Sequence, residues 1–183
     1  RVLIPSSLVR IQLPPPYIIN INCEEIIMDD KEKLINENKE LCSKYPFLIP
    51  HNRFSDEVDL NYDYTYTELD DMPEGWRKKF GMQMLDELKQ VLEEENNLEE
   101  FRILQIKEKY GSLRFYTNCC TEKISKLIHK YENISSTTCI KCGEPATVIS
   151  TGWISPWCDE CSKNIHGELI PVDVWFADEE DLI

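Results

Sequence analysis

Four cysteines near the C-terminus have the spacing of a metal site. Cys139 and Cys142 form one Cys-x-x-Cys pair, Cys158 and Cys161 form a second, and the segment 143–157 separates the pairs. This spacing is typical of zinc modules, because two thiolates in one tight turn can bind the same ion and a second pair completes a tetrahedron. Since cysteine fills all four positions, we predict one structural Zn²⁺ rather than a catalytic ion.

Disulfides or redox-active pairs are the alternative interpretation of the same four cysteines. Residues 1–27 lack the order of basic, apolar and small-residue segments that a secretory signal has. We therefore expect a cytoplasmic protein, in a compartment where disulfides are rare. Of the other cysteines, Cys42 lies on an apolar helical face, and we expect the adjacent Cys119 and Cys120 to be small buried residues, with their role left open.

Patterns that would indicate catalysis are weak. Pro156-Trp157-Cys158 followed by Cys161 resembles half of a zinc deaminase motif, but the His-x-Glu of His166 and Glu168 follows it rather than precedes it. The sequence contains no Walker loop, no Gly-rich dinucleotide loop and no Gly-x-Ser-x-Gly. We therefore name no catalytic residue and favour binding over catalysis, with an enzyme as the minority alternative.

The elements around the cysteines predict an α+β fold, in which helices and a β-hairpin precede a small treble-clef or zinc-ribbon-like module. Apolar periodicity and turn residues predict the following elements: helices over 31–45, 76–96 and 121–131, strands over 101–107 and 113–117 joined by a longer turn around Gly111, and a hairpin over 146–157 with a helix after it. We place an α+β domain at 28–136, the zinc module at 137–168 and an acidic C-terminal tail at 169–183.

Charge is distributed unevenly along this acidic chain, whose formal net charge is −14. Residues 107–141 hold seven basic and three acidic side chains, whereas residues 142–183 hold one basic and nine acidic. The candidate phosphate or nucleic-acid contacts are therefore Lys107, Lys109, Arg114, Lys123, Lys126 and Lys130. Tyr110 and Tyr116 are available for base stacking. The alternative, which we prefer, is that these cations pair with the acidic flanks.

A second candidate surface is aromatic. Tyr62, Tyr64 and Tyr66 alternate within Asn61–Thr67, which suits a short strand or extended segment with one aromatic face. Packing of that face on the core is one interpretation, and contact with a protein partner is the other. Together with the acidic net charge, it predicts a protein partner, with nucleic acid as the alternative, no membrane association and an undetermined oligomeric state.

The N-terminal segment 1–27 has an unusual texture, with neither helical nor strand periodicity. Val9–Gln12 can be encoded by bases that resemble the TΨC arm of a transfer-RNA gene, and codons for Glu24-Glu25 ahead of Met28 can form a ribosome-binding site. We hypothesise that residues 1–27 are translated upstream DNA and that the native protein starts at Met28. The alternative is a genuine Pro-rich disordered arm.

One stretch resembles a known group of proteins. Gln105-Ile106-Lys107-Glu108-Lys109-Tyr110-Gly111-Ser112-Leu113-Arg114-Phe115-Tyr116, a helix and the two cysteine pairs are similar to a family of small phage and prophage proteins with a K-E-K-[FY]-G-x-L-R-F-Y hairpin and a zinc module. The likeness covers roughly residues 73–162. It implies a phage or prophage accessory protein of a bacterial cell with a host or phage protein as its partner, and it supplies neither an activity nor a catalytic residue.

Overall fold

A computed structural model of the protein describes residues 23–52, 57–58 and 61–180. Residues 1–22, most of the leader hypothesised above, lie outside this range. The described chain is α+β, as predicted, with two antiparallel sheets among helices. Its elements are α1 (Cys23–Lys44), α2 (Glu74–Trp76), α3 (Met82–Glu94), β1 (Ile103–Lys109), β2 (Ser112–Thr117), α4 (Glu122–Ser136), β3 (Val148–Ser150), β4 (Ser155–Trp157), α5 (Asp159–Ser162), β5 (Leu169–Pro171) and α6 (Val172–Glu180).

Helix α1 starts earlier than its apolar stripe indicates, at Cys23 rather than near residue 31. It ends at Lys44, and Pro46 opens a 3-10 turn (Pro46–Leu48) whose Phe47 and Leu48 are fully buried. Proline cannot supply the amide hydrogen that a continuing helix needs, so the predicted stop near residue 45 is confirmed.

The long helix predicted over 76–96 is present in three consecutive pieces. Helix α2 leads into a π-helical turn (Arg77–Gly81), which leads into α3. Its predicted stripe is buried at Phe80, Met84, Leu88 and Leu92. The π turn inserts one residue into the helix, and the side chains of Trp76 before it and Met84 after it are both buried in the same core.

The predicted hairpin is confirmed, but its turn is shorter than expected. Strands β1 and β2 pair antiparallel, with Lys109 opposite Ser112. Only Tyr110 and Gly111 lie between them, and both have positive φ, 54° and 78°. The longer turn was wrong because Tyr110 adopts the left-handed conformation that a two-residue turn needs.

Helix α4 lies across β2 and against α3. Thr121 caps its N-terminus, since the threonine hydroxyl accepts a hydrogen bond from the Ile124 amide (3.3 Å). The helix continues to Ser136, beyond the predicted end at residue 131. Ile124 and Tyr131 are buried in the core that α1, α3 and the hairpin share.

The cysteine module contains a three-stranded sheet in the order β4-β3-β5. The hairpin of β3 and β4 and the short helix α5 follow the first cysteine pair in the order predicted for a treble clef. Strand β5 pairs with β3 through Ile170 opposite Ile149, and α6 follows directly. The boundary predicted at residue 168 therefore falls just before a strand of the module's own sheet, and residues 169–180 are built into the fold.

The segment 61–67 forms no strand in the described structure. Tyr64 has a φ of 63°, which breaks the alternation that the tyrosine spacing indicates. Tyr62 and Tyr64 are half-buried with ring centroids 4.6 Å apart, and the Tyr62 hydroxyl donates to the carbonyl of Tyr66. Asn38 of α1 fixes the segment by donating to the Tyr64 carbonyl (2.8 Å).

Candidate metal centre

The first cysteine pair lies in a tight turn that the backbone stabilises from inside. The amide of Gly143 donates to the Cys139 carbonyl (3.0 Å), and the amide of Cys139 donates to the Glu144 carbonyl (2.8 Å). Gly143 has a φ of 84°, a conformation that favours glycine over residues with a Cβ. This turn brings the thiols of Cys139 and Cys142 to the same side.

The second pair comes from the end of the β3–β4 hairpin. Cys158 directly follows β4, and Cys161 lies within α5, one helical turn later. The amide of Ser162 donates to the Cys158 carbonyl (2.9 Å), which closes that turn. The helix predicted after this hairpin is the single turn Asp159–Ser162, which is sufficient to present both thiols.

The four sulfur atoms have the geometry of one metal site. All four Sγ atoms lie within 4.8 Å of one another, and those of Cys142 and Cys158 are 3.6 Å apart. A tetrahedral Zn²⁺ with metal–sulfur bonds of about 2.3 Å places its ligands about 3.8 Å apart. None of these four cysteines forms a disulfide. The cluster predicted from the spacing is therefore assembled, and it could hold a metal ion.

Without a cation, the electrostatics of the cluster oppose full ionisation. Burial disfavours the Cys139 thiolate, but the backbone amides of Cys158, Cys142 and Lys141 outweigh this effect and lower the pKa of Cys139 to about 7. Burial and the three neighbouring thiols raise the pKa of Cys161 to about 12. The amide of Glu144 favours the Cys142 thiolate, but burial and the thiols of Cys139 and Cys158 outweigh this effect and raise the pKa of Cys142. One thiolate is stable alone, and a bound cation would stabilise all four.

A contact that sequence reasoning missed joins the cysteine turn to the start of α2. The amide of Gly75 donates to the Ile140 carbonyl (2.9 Å), and the indole nitrogen of Trp76 donates to the Thr138 carbonyl (2.8 Å). A Cβ added at Gly75 would lie 2.3 Å from the Cys139 carbonyl oxygen. The sequence shows a Gly-Trp pair at the start of a helix. It does not indicate that this pair contacts residues more than 60 positions later.

The remaining described cysteines lie apart from the cluster. Cys42 is buried on α1 beside the Tyr62 hydroxyl, as expected of a core residue, and burial raises the pKa of its thiol. Cys119 is half-buried, and its Sγ accepts a hydrogen bond from the side-chain amide nitrogen of Asn97 (3.1 Å). Cys120 is exposed, so the expectation that both adjacent cysteines are buried was wrong for this residue. It follows the end of β2, where the side chain no longer faces the core.

The candidate phosphate contacts do not form one free basic surface. Ion pairs join Arg114 to Glu132 (3.6 Å), Lys123 to Glu94 (2.8 Å), Lys126 to Glu122 (2.6 Å) and Lys130 to Glu87 (2.6 Å). Lys107 and Lys109 lie instead over the rings of Tyr116 and Tyr110, at 5.1 and 5.3 Å. Most of the local positive charge is therefore balanced by the acidic helices α3 and α4.

The most exposed aromatic side chains lie elsewhere than the sequence suggested. Tyr62 and Tyr64 are half-buried and Tyr66 is 36% exposed. By contrast, Tyr110 in the β1–β2 turn is 71% exposed and Trp153 in the β3–β4 turn is 77% exposed. These two turns meet, since a Cβ added at Gly111 would lie 3.1 Å from the Ile154 side chain. Tyr110 and Trp153 line the same cleft, called the aromatic cleft below.

Comparison with known proteins assigns this chain to no family. No protein-family model, no curated protein and no solved structure matches it. The resemblance of residues 73–162 to a phage and prophage family thus stays a prediction. In the described part of the chain, no helix has both the length and the apolar character needed to cross a bilayer.

Proposed function

We propose that this is a non-catalytic binding protein whose C-terminal module is held by one structural Zn²⁺. The assembled set of four sulfur ligands supports zinc, because a tetrahedral all-thiolate site suits Zn²⁺ or iron and leaves no coordination position for substrate. Cys139, Cys142, Cys158 and Cys161 would hold the ion. Its chemistry there is to neutralise thiolates and fix the backbone.

Metal analysis of the purified full chain tests the identity of the ion. We expect one zinc per chain by plasma mass spectrometry, with no visible absorption. One iron per chain, with the coloured thiolate-to-metal bands of that ion, would contradict the zinc assignment. A chain with neither metal, whose four thiols all react with a thiol reagent while it stays folded, would contradict the metal site itself.

The observation that carries the binding role is the aromatic cleft. Tyrosine and tryptophan are enriched in the energetically dominant centres of protein interfaces, where their large rings become desolvated. Tyr110 and Trp153 are the two most exposed large apolar side chains of the described residues, and they share one cleft at the meeting point of two turns.

The partner that this surface suits is a basic protein. The net charge of −14 attracts a positively charged partner and steers its approach. The resemblance to phage and prophage proteins supports an accessory role in an infected or lysogenic cell. A host or phage protein is therefore the expected partner.

Affinity capture from bacterial lysate tests this role with matched variants. The wild-type chain, Trp153→Ser and Met82→Ser are immobilised in parallel, with and without nuclease. Met82 is 46% exposed on α3 and serves as the control for loss of an exposed apolar side chain. We expect the wild-type chain to capture a basic protein, and we expect this capture to be unaffected by nuclease. Capture should be lost with Trp153→Ser and retained with Met82→Ser. Equal capture by all three chains would contradict a role for the cleft.

A second candidate is nucleic-acid binding through the hairpin, favoured by the two lysines that lie over Tyr110 and Tyr116. Stacked bases and phosphates are bound by this combination of rings and cations. It predicts nuclease-sensitive recovery and affinity that falls steeply with salt. Capture that is insensitive to nuclease and only weakly dependent on salt would favour the protein partner.

A further inference from the structure

A cavity of about 560 Å³ lies between the β1–β2 hairpin, α4 and the C-terminal module. Its volume falls within the range of small-molecule sites, which often lie where separate parts of a fold meet. One side is polar, with Ser112, Arg114, Glu132 and Asn133, and the other side carries Trp175 and Phe176 of α6. None of the four clustered cysteines lines it.

The charged pair in this cavity is wider than the ion pairs that the three lysines of α4 make outside it. Arg114 and Glu132 are separated by 3.6 Å, beyond hydrogen-bond distance, whereas Lys130 and Glu87 are 2.6 Å apart. The side chains of Arg114 and Glu132 are only 33% and 25% exposed. A half-buried pair held apart in this way keeps hydrogen-bonding capacity on both groups.

The hydrogen bonds of Arg114 and Glu132 show which of their donor and acceptor atoms remain free to bind a ligand. The Nη1 atom of Arg114 donates to the Ser112 hydroxyl (2.6 Å) and the Leu113 carbonyl (2.9 Å), which fixes the guanidinium. Among the described residues, nothing accepts from its other nitrogens and nothing donates a hydrogen bond to the Glu132 carboxylate. His129, at 3.7 Å from that carboxylate, is also beyond hydrogen-bond distance. A donor and an acceptor thus stand side by side at the cavity wall.

The chemistry of the ligand follows from this pair and from the aromatic side. The two formal charges cancel, so the recognised group is neutral, with an acceptor next to a donor. Trp175 and Phe176 suit a planar ring, because bases stack on aromatic side chains. Guanine has this combination: its O6 accepts from arginine, and its N1–H and amino group donate to a carboxylate. We propose that the cavity binds a guanine base.

This inference does not depend on the proposed protein partner. Tyr110 and Ile154 line both the aromatic cleft and the cavity, but Trp153 lines only the cleft and Glu132 only the cavity. Variants of Trp153 and Glu132 therefore test the two proposals separately. The same guanine edge is presented by a free nucleotide and by a base in a single strand, so both sources are included as probes.

The test is calorimetric titration of the metal-loaded full chain with guanosine, inosine and adenosine 5′-monophosphates. All three carry the same phosphate, so differences report on the base. We expect guanosine monophosphate to bind about 5- to 100-fold more tightly than adenosine monophosphate, which presents a donor in place of O6, with inosine monophosphate between them. Equal affinity for all three, or no binding at millimolar concentration, would overturn the proposal.

Two variants of helix α4 test whether the Glu132 carboxylate binds the base. We expect Glu132→Gln to weaken binding of guanosine monophosphate at least 10-fold. Glu122→Gln is the matched control, since Glu122 is 82% exposed on the same helix and pairs with Lys126 outside the cavity. Equal losses in both variants would overturn the role of Glu132. Trp175→Ala provides a second test that leaves α4 intact, and an unchanged affinity in that variant would overturn the stacking wall.

A single-stranded tetranucleotide with one guanine distinguishes the two sources. Tighter binding than the mononucleotide indicates a base presented by a strand, and it supports the guanine site when a tetranucleotide without guanine binds more weakly. Weaker binding indicates a free nucleotide and supports the same site. Equal binding of tetranucleotides with and without guanine would overturn it for nucleic acid.

Discussion

The two parts of this molecule are stabilised in different ways. The helical part has one cluster of nineteen buried apolar residues, which extends from Cys42 to Tyr131. In the described part of the cysteine module, the buried apolar residues other than Pro156 are Cys139, Ile149 and Cys158. Two of these three are ligands of the candidate metal site. A module with so little apolar burial needs a cross-link or a bound metal ion to stay folded, and the four thiols could bind such an ion.

The largest expected effect is the loss of one ligand. Cys142→Ser removes one metal–sulfur bond from a module with almost no core, so we expect the ion to be lost and residues 137–171 to unfold. Structural zinc contributes on the order of 10 kcal/mol in small peptides. Metal content and hydrogen exchange resolved along the chain measure both effects.

The matched control for ligand loss is Cys120→Ser, which changes an exposed thiol outside the cluster. That variant should keep its metal and its exchange protection. If exchange in Cys142→Ser also rises throughout α3 and the hairpin, the two parts fold as a single unit and the comparison fails.

Shortening one buried side chain in the large core tests how the helical part is stabilised. Leu88→Ala opens a cavity at a residue that is 1% exposed, and it should lower the free energy of unfolding by about 2–5 kcal/mol. Chemical denaturation measures the loss, and metal content should remain unchanged. Met82→Ala on the same helix, at an exposed position, should change stability by about 0.5 kcal/mol or less.

Proton release on metal binding tests the raised pKa values of the cysteine cluster. Cys142 and Cys161 have raised pKa values without metal, the latter about 12, so both are protonated at neutral pH. We expect at least two protons to be released per ion, and the affinity to fall about 100-fold for each unit that the pH drops near neutrality. Calorimetry in buffers of different ionisation enthalpy counts these protons. Release of fewer than two would contradict the pKa assignment.

The smallest expected effect concerns the contact between the two parts. Gly75→Ala places a Cβ 2.3 Å from the Cys139 carbonyl oxygen, and overpacking of this kind costs about 1–3 kcal/mol. Gly152→Ala is the control, because a Cβ there meets nothing within 4 Å. Thermal unfolding of the metal-loaded chains should separate the two. Equal midpoints would mean that α2 moves away from the cysteine turn at little cost.

What the sequence predicted well depends on local spacing. The cysteine pairs, the stop before Pro46 and the Phe80–Leu92 stripe each follow from residues within a few turns of one another. The left-handed Tyr110, the pairing of Ile170 with Ile149 and the contact of Gly75 with Ile140 depend on neighbours distant in sequence. The tyrosine segment failed for the same reason, since Asn38 binds the Tyr64 carbonyl and a strand-like spacing does not reveal this.

The backbone contact between Gly75 and the cysteine turn also limits how such a sequence can vary. A Cβ at Gly143 would lie 2.6 Å from the Gly75 carbonyl oxygen, just as one at Gly75 would meet Cys139. The two glycines exclude side chains from both sides of one contact, so a substitution at either position is not rescued by a smaller residue at the other. Relatives with this arrangement should keep both glycines even where the exposed residues of α3 between them change.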